Sequence, residues 1–224
     1  MNYEDLVRQE ADAYYLRNRE KNWSAEGDPV LCEVDLWAPQ DAPRRVLEIG
    51  CTTGFRLQHL IEKYGSECHG VEASGLAVQE CLSLHPGISL KNGVAPPVLG
   101  TYPDQTFDLV IIGFVQYLLP RDFEFALAAE LDRITEAWGR VIAFDFISPV
   151  TVARAYEHDP NLVTYKSYPS LLLDWNPRWT LMNRRSFQHG STSPARRHHP
   201  DEWVSVDTLI KFPTEVAYPS TAPH

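Results

Sequence analysis

Short, nearly continuous apolar runs alternate along most of this chain with stretches whose apolar residues recur every three or four positions. Five apolar runs predict buried strands, at 46–49, 67–72, 88–93, 107–114 and 140–146. Helical spacing is found at 3–20, from Asp28 onward, at 54–64, at 74–84 and at 121–138, where Gly139 is expected to end the helix. Because fully apolar strands belong in parallel sheets covered on both faces, this alternation predicts a doubly wound α/β fold.

The last third of the chain departs from this alternation. Residues 178–187 and 203–212 each read as a strand, and a loop at 189–202 joins them. Two late strands joined in this way predict an antiparallel pair at the sheet edge. We therefore expect a Rossmann-like sheet of seven strands, mostly parallel, with one antiparallel strand in the edge region and helices on both faces.

Length and composition predict one domain, because 224 residues that are 44% hydrophobic can bury an ample core. We expect an N-terminal helical lid over residues 1–40 and a main domain over 41–212. Within the main domain, the irregular stretch at about 147–175 is long enough to cover a pocket. The tail at 213–224 holds three prolines and is predicted to be disordered. The alternative for the lid is an amphipathic helix that only packs on the sheet edge.

Charge and cysteine usage exclude several classes of function. The net charge of −10 disfavours tight nucleic-acid binding, which needs a basic surface. The four cysteines lack C-x-x-C spacing, which argues against zinc sites and disulfide frameworks and suits a reducing cytoplasm. No signal peptide and no apolar run of the ~18 residues of a membrane helix is visible, so a cytoplasmic location is expected. Residues 196–199, Arg-Arg-His-His, predict a solvated loop rather than a metal site.

The main chemical signal is the turn after the first predicted strand, Glu48-x-Gly50-x-x-x-Gly54. A strand, a glycine turn and a helix in this order offer backbone N–H groups and a helix N-terminus to a ligand. A dinucleotide turn needs G-x-G-x-x-G, but Thr52 stands at the second glycine and hinders the approach of a pyrophosphate. Glu72 ends the second predicted strand, where a carboxylate can accept both hydroxyls of a ribose.

Four segments together resemble class I S-adenosylmethionine-dependent methyltransferases: LEIGCTTG, VEAS, FDLVIIGFVQYLL and VIAFDF. The resemblance runs from about residue 10 to 212 and implies S-adenosylmethionine as the cofactor. It departs from the family at Thr52, and no Asp follows the third strand to bind the adenine amino group. The cofactor-binding residues that it implies are Tyr15, Glu48, Gly50, Cys51, Thr52, Gly54, Glu72, Ala73, Val94, Ala95, Gly113 and Phe114.

Methyl transfer is an in-line displacement at a sulfonium, so positioning supplies much of the barrier reduction, and a hydroxyl acceptor also benefits from a general base. The candidate catalytic residues are Asp145, His158, Lys166 and Tyr117. Asp145 ends the fifth strand, His158 lies in the loop beyond it, and the other two could orient a substrate. Each of these residues also has a non-catalytic interpretation. Asp145 could cap a turn, His158 and Lys166 could be solvated surface groups, and Tyr117 could pack at the start of a helix.

We therefore expect a methyltransferase for a small-molecule acceptor, with oxygen favoured, that works as a monomer or homodimer. A nucleic-acid methyltransferase is disfavoured, because GFVQYL lacks the N/D-P-P-Y/F motif. A nicotinamide-dependent reductase is disfavoured by Thr52 and Glu48. A non-catalytic S-adenosylmethionine-binding partner subunit stays open, and its mark would be cofactor binding without turnover.

Overall fold

The computed structural model of the protein describes residues 2–21, 23–190 and 202–219. The main sheet consists of β1 (Arg45–Ile49), β2 (Glu67–Glu72), β3 (Ser89–Asn92), β4 (Phe107–Gly113), β5 (Thr135–Phe146), β8 (Trp179–Gln188) and β9 (Trp203–Lys211). A separate hairpin is formed by β6 (Val152–Ala155) and β7 (Val163–Lys166). The helices are α1 (Tyr3–Asn18), α2 (Pro29–Trp37), α3 (Phe55–Tyr64), α4 (Gly75–Leu84), α5 (Arg121–Ile134), α6 (Leu171–Asp174) and α7 (Thr214–Ala217).

The strands of the main sheet follow the order β3-β2-β1-β4-β5-β9-β8. Strands β1 to β5 pair in parallel, whereas β9 is antiparallel to both of its neighbours, β5 and β8. This arrangement confirms the predicted Rossmann-like sheet with one antiparallel strand near its edge. The strand order reverses between β1 and β4, and doubly wound sheets bind ligands at the carboxyl ends of the strands at such a point.

Two apolar cores cover the two faces of the sheet, because successive residues of a strand point to opposite faces. On one face Val110 and Ile112 of β4 pack in the cluster that contains Leu127 of α5. On the other face Leu109 and Ile111 pack in the cluster that contains residues of α2 and α3. Within the described ranges, none of the helices has both the length and the apolar character of a membrane-spanning segment.

The boundary between α5 and β5 differs from the prediction of a helix over 121–138. The helix ends at Ile134, and Thr135 already pairs with Phe107 of β4. The residue in the left-handed region is Trp138, with φ 67°, rather than Gly139, which lies within the strand. Residues from Thr135 onward therefore pair with β4, across an irregular register, although their apolar residues have helical spacing.

The chain after β5 is more regular than predicted. The stretch expected to be irregular contains the β6–β7 hairpin, which the Tyr156 N–H helps to close by donating to the Leu162 carbonyl at 2.9 Å. The short helix α6 follows the hairpin. The single helical turn α7 lies in the tail for which we predicted disorder, and residues 220–224 lie outside the described residues.

Candidate functional site

A cavity of about 960 Å³ lies at the carboxyl ends of the parallel strands, where the strand order reverses. Its walls come from α1, the turn after β1, the ends of β2 to β5 and the β6–β7 hairpin. The sequence-predicted residues that line it are Tyr15, Gly50, Thr52, Glu72, Ala73, Val94, Ala95, Gly113, Phe114, Tyr117, His158 and Lys166. Four predicted residues are not among its lining: Glu48, Cys51, Gly54 and Asp145.

The glycine turn after β1 has the shape that its sequence predicts. Gly50 has φ 78°, and a Cβ added there would lie 2.7 Å from Cγ2 of Val115, so a side chain would collide with the exit of β4. Gly54 begins α3 and faces Cys81 rather than the cavity. Cys51 is buried against Gly70 of β2. Gly54 and Cys51 therefore pack beneath the turn, and the cofactor contacts expected of them stay predictions.

Glu72 is held in a fixed orientation at the end of β2. Its Oε2 accepts the Thr52 N–H at 2.8 Å, and its Oε1 accepts the Ser74 N–H at 2.7 Å. The residue is 7% exposed, and burial raises the pKa of its carboxyl, although these N–H groups act in the opposite direction. Since a carboxylate has about four lone-pair sites, each oxygen can still accept another donor from the cavity. Two adjacent hydroxyls match this arrangement.

Glu48 is not among the residues that line the cavity, and the direct ligand contact expected of it stays a prediction. Its side chain is 1% exposed, and its Oε1 accepts the Arg56 Nη1–H at 2.8 Å. The Arg56 Nε donates to both carboxylate oxygens of Asp28 at 3.0 Å. Arg56 and Asp28 line the cavity, so Glu48 acts by holding Arg56 in place. Burial raises the pKa of Glu48 to about 7.

Sequence reasoning missed Arg56 and gave Asp28 only as the start of a predicted helix. Asp28 does cap α2 through the Val30 and Leu31 N–H groups, and it binds Arg56 as well. Among the described residues, Nη2 of Arg56 has no hydrogen-bond partner, while Nε and Nη1 are both engaged. The position of Arg56 in the first turn after Gly54 was the available signal, because helix starts at this edge of the sheet face ligands.

Asp145 points away from the large cavity. Phe144 and Phe146 line that cavity, and the residue between them faces the opposite side of β5. Asp145 borders a neighbouring cavity of about 500 Å³ and accepts the N–H groups of Tyr117 at 3.1 Å and Phe146 at 2.7 Å. Burial raises its pKa to about 7. Asp145 therefore holds the turn that carries Tyr117, and its assignment as a base in contact with substrate stays a prediction.

Aromatic rings form the wall of the cavity beyond the end of β4. The ring centroid of Phe114 lies 5.2 Å from that of Phe146 and 5.5 Å from that of His189. Phe114 has φ 53°, an unusual backbone conformation for a bulky residue, and its N–H donates to the Phe144 carbonyl. Nζ of Lys166 lies 4.6 Å from the centroid of the Phe146 ring. His158 is exposed at the margin and packs edge-on against Tyr156.

Side chains from three distant segments meet at the cavity. The Tyr156 hydroxyl donates to Oε1 of Glu10 at 2.8 Å, and the ring of Tyr117 lies edge-on to that of Tyr156, with 6.1 Å between the ring centroids. Arg17 donates to the same oxygen at 2.5 Å. Sequence reasoning missed Glu10, Arg17 and Tyr156. The seven-residue spacing of Glu10 and Arg17, which places both on one helix face, was the signal that could have found the first two.

The tyrosines at the end of α1 have different surroundings. Tyr15 lines the cavity, but its hydroxyl donates to Glu80 of α4. Tyr14 also lines the cavity. Burial raises the pKa of its hydroxyl, and the charges of Arg56 and Glu72 act on this pKa in opposite directions. Tyr14 is therefore closer than Tyr15 to the polar groups that the cavity offers.

Across residues 2–21, 23–190 and 202–219, no cluster of three or more His, Cys, Asp and Glu side chains could hold a metal ion. Cys51, Cys68 and Cys81 are free thiols in the core. The Arg-Arg-His-His segment at 196–199, which we predicted to be a solvated loop, lies outside the described residues.

Sequence comparisons match parts of the chain to methyltransferases. The family model described as "Methionine biosynthesis protein MetW" matches residues 35–135. Ajmaline N-methyltransferase of Rauvolfia serpentina is 31% identical over 93 residues, which are 38% of this chain and 31% of that protein. A probable chloroplastic tocopherol O-methyltransferase of Oryza sativa subsp. japonica is 30% identical over 111 residues, 46% of this chain and 30% of that protein. The chain thus spans about a third of the length of these curated relatives.

Solved structures match nearly the whole chain. The Burkholderia thailandensis 1,6-didemethyltoxoflavin-N1-methyltransferase, solved with 1,6-didemethyltoxoflavin and S-adenosylhomocysteine, has a TM-score of 0.70 at 17% identity, covering 94% of this chain and 89% of that chain. The N-methyltransferase NodS of Bradyrhizobium japonicum WM9, solved with S-adenosylhomocysteine, has a TM-score of 0.62 at 15% identity, covering 90% and 98%. These matches confirm the predicted fold and the predicted resemblance to class I methyltransferases.

Proposed function

We propose that this protein, which has the fold of the class I S-adenosylmethionine-dependent methyltransferases, binds S-adenosylmethionine in the large cavity and methylates a small molecule. The observation that carries the proposal is the orientation of Glu72. Backbone N–H groups on both sides fix its carboxylate at the strand-order reversal, and each oxygen keeps capacity for one more donor. The two ribose hydroxyls of the cofactor fit this pair of oxygens.

The remaining lining fits the other parts of the cofactor. Gly93, Val94 and Ala95 supply an apolar edge for the adenine, with backbone groups in place of an acidic side chain. The guanidinium of Arg56 lies by the glycine turn, and its open Nη2 suits the amino-acid carboxylate. When bound, S-adenosylmethionine supplies an activated methyl group on a sulfonium. The protein's part is to orient that group and to exclude water.

The acceptor is proposed to be a small molecule that lies between α1 and the β6–β7 hairpin. Both segments contribute to the cavity wall, as expected of a lid and a covering insert. The relatives and neighbours include both N- and O-methyltransferases. We favour oxygen as the methylated atom. A hydroxyl acceptor must lose a proton, and the cavity wall contains a buried carboxylate, Glu10, that the Tyr156 hydroxyl already contacts.

Calorimetric titration with S-adenosylhomocysteine tests the cofactor site. We expect micromolar affinity for the wild-type protein and a loss of ~10²-fold or more in Glu72→Ala, because two hydrogen bonds to a charged group disappear. Glu67→Ala is the matched control, since Glu67 begins the same strand and its side chain is 65% exposed. The proposal is wrong if NADH binds in place of S-adenosylhomocysteine, or if neither of them binds.

Turnover separates an enzyme from a non-catalytic binding subunit. Release of S-adenosylhomocysteine is measured with S-adenosylmethionine and a panel of small hydroxyl and amine compounds. Methylation of a panel member supports the enzyme. Tight S-adenosylhomocysteine binding without turnover on any compound favours the partner-subunit alternative instead.

A further inference from the structure

We propose that the smaller cavity, of about 500 Å³, is a second ligand site that takes a flat ring carrying a carboxamide group. Its volume lies within the range of small-molecule sites. Tyr117 and Phe146 line both cavities, and their ring centroids are 5.4 Å apart, so these two rings form the partition between the cavities. The inference goes beyond the proposed methyl transfer and does not depend on it.

Two side chains that line the smaller cavity have a buried polar atom without a hydrogen-bond partner among the described residues. These atoms are Oε1 of Gln116 and Nη2 of Arg121. Within the described ranges, the other buried side-chain atoms in this condition belong to residues that line neither cavity. Native proteins pair nearly all such atoms, because a buried polar atom without a partner costs free energy. An unpaired acceptor and an unpaired donor in one cavity therefore indicate a ligand that supplies both partners.

The neighbours of these two side chains determine which atom of each is open. Nε2 of Gln116 donates to the Pro169 carbonyl at 3.1 Å. Because a carbonyl only accepts, the amide nitrogen must face Pro169, and the amide oxygen is the open atom. Nη1 of Arg121 donates to Glu124, and the guanidinium carbon lies 4.9 Å from the centroid of the Tyr165 ring. The guanidinium is thus held from two sides, with Nη2 as its open donor.

Asp145 adds a second acceptor to the smaller cavity. It is 2% exposed, and its Oδ1 and Oδ2 accept the N–H groups of Phe146 and Tyr117. Since a carboxylate has about four lone-pair sites, Asp145 can accept a further donor. The three side chains thus offer two acceptors, on Gln116 and Asp145, and one donor, on Arg121. A primary carboxamide has the complementary set, with two N–H donors and one carbonyl acceptor.

The aromatic side chains of the smaller cavity suit a flat ring. Tyr165, Tyr168, Phe125 and Trp175 all contribute to its wall. Phe125 is 75% exposed and Trp175 is 62% exposed, and their ring centroids lie 6.3 Å apart. Because these two side chains are largely exposed and also line the cavity, they mark its mouth. Aromatic walls bind flat rings by offset or edge-on contact, so the ring of the ligand is assigned to this part of the cavity.

The first test titrates the ¹⁵N-labelled protein with benzamide and follows the indole N–H resonance of Trp175 by NMR. The resonance is assigned by its loss in Trp175→Phe. We expect benzamide to shift it with a Kd of about 1 mM. Acetophenone lacks the N–H donors and aniline lacks the carbonyl, so each should bind about tenfold more weakly than benzamide. Absence of binding at millimolar benzamide would overturn the proposal, and so would equal affinities of toluene and benzamide.

The second test assigns each contact by combining a variant with a probe. In Arg121→Leu the advantage of benzamide over aniline should vanish, because the donor to the carbonyl is gone. In Gln116→Leu the advantage of benzamide over acetophenone should shrink to about threefold or less, since one of two acceptors for the N–H groups remains. Gln58→Leu is the matched control, because Gln58 donates to Glu62 outside both cavities and its loss should leave every affinity unchanged. An unchanged advantage in Arg121→Leu or Gln116→Leu would overturn the proposal.

A repeat of the benzamide titration with saturating S-adenosylhomocysteine separates the two cavities. Benzamide should bind within about threefold of its affinity for the ligand-free protein, as expected of two distinct sites with little coupling. Displacement of benzamide by S-adenosylhomocysteine would place it in the large cavity and overturn the proposal. A benzamide-soaked crystal with only ordered water at Gln116 and Arg121 would overturn it as well. Failure of S-adenosylhomocysteine to bind would remove the proposed function and leave the benzamide result standing.

Discussion

The two halves of the large cavity are built by different means. In the half at the ends of β1 and β2, backbone N–H groups of Thr52 and Ser74 orient Glu72, and a buried ion cluster fixes Arg56. In the half beyond β4, side chains of α1 and the hairpin meet over a wall of aromatic rings. The first half is set by neighbouring strands of the sheet, and the second depends on segments that pack over it.

This difference suggests a division of labour. A half fixed by backbone groups and buried charges suits a ligand that is the same in every reaction, because its geometry does not depend on movable segments. A half closed by a helix and a hairpin can open for an acceptor and reform around it. The predictions below perturb each half and ask whether the other half is affected.

The largest effect is expected from breaking the ion cluster of the first half. Arg56→Leu leaves the buried carboxylates of Asp28 and Glu48 without a positive charge beside them, which costs roughly 3–5 kcal/mol of unfolding free energy. Chemical denaturation measures the loss, and S-adenosylhomocysteine binding should weaken as well. Arg44→Leu is the control, because the Arg44 side chain is 75% exposed and its ion pairs contribute about 1 kcal/mol or less. Equal losses in the two variants would contradict the importance of burial.

Asp145 gives a pH-dependent effect beneath the second half. Its pKa is raised from 3.8 to about 7 in the folded protein, so ionisation costs more in the folded state than in the unfolded state. Stability is therefore highest below the unfolded pKa and falls as pH rises from about 4 to about 7. The fall is on the order of 4 kcal/mol if fully expressed.

The variant Asp145→Asn keeps an oxygen for the Tyr117 N–H but does not ionise. Its unfolding free energy, measured by urea denaturation from pH 4 to pH 7, should fall less steeply than that of the wild-type protein. If the unfolding free energy of the variant falls with pH as steeply as that of the wild-type protein, Asp145 does not ionise between pH 4 and pH 7. S-adenosylhomocysteine affinity should stay near the wild-type value, because Asp145 faces the smaller cavity.

The smallest effect concerns backbone strain in the first half. Thr52 has φ 50°, a left-handed conformation that costs a β-branched residue free energy. Thr52→Gly relieves the strain at some cost in unfolded-state entropy, and we expect a net stabilisation of about 1 kcal/mol. Thermal unfolding would show this as a higher Tm. A lower Tm would mean that contacts of the Thr52 side chain outweigh the strain.

The first half of the cavity was largely predictable from sequence, because its signals are local. The Gly50 turn and Glu72 lie at the ends of adjacent parallel strands, and short apolar runs reveal such strands. The structure differs from the sequence-based expectation in the side of a strand that a residue faces. Glu48 and Asp145 were each expected at the ligand, yet neither lines the large cavity. A shift of one residue along a strand changes the face, and only packing decides which face is which.

The second half could not be predicted in the same way. The contact between Glu10 and Tyr156 joins residues 146 positions apart, and no periodic pattern encodes such a distance. The β6–β7 hairpin that presents Tyr156 consists of two four-residue strands in a stretch that reads as irregular. The helix α5 was predicted too long for a related reason, because pairing of Thr135 with β4 overrode a helical pattern.

The division into two halves is tested most directly by S-adenosylhomocysteine calorimetry on three proteins side by side: wild type, Glu72→Ala and Glu10→Gln. Removal of Glu72 should weaken binding by ~10²-fold or more, whereas Glu10→Gln should bind within about threefold of wild type. The opposite pattern, with binding lost in Glu10→Gln and kept in Glu72→Ala, would contradict the placement of the cofactor at the ends of β1 and β2.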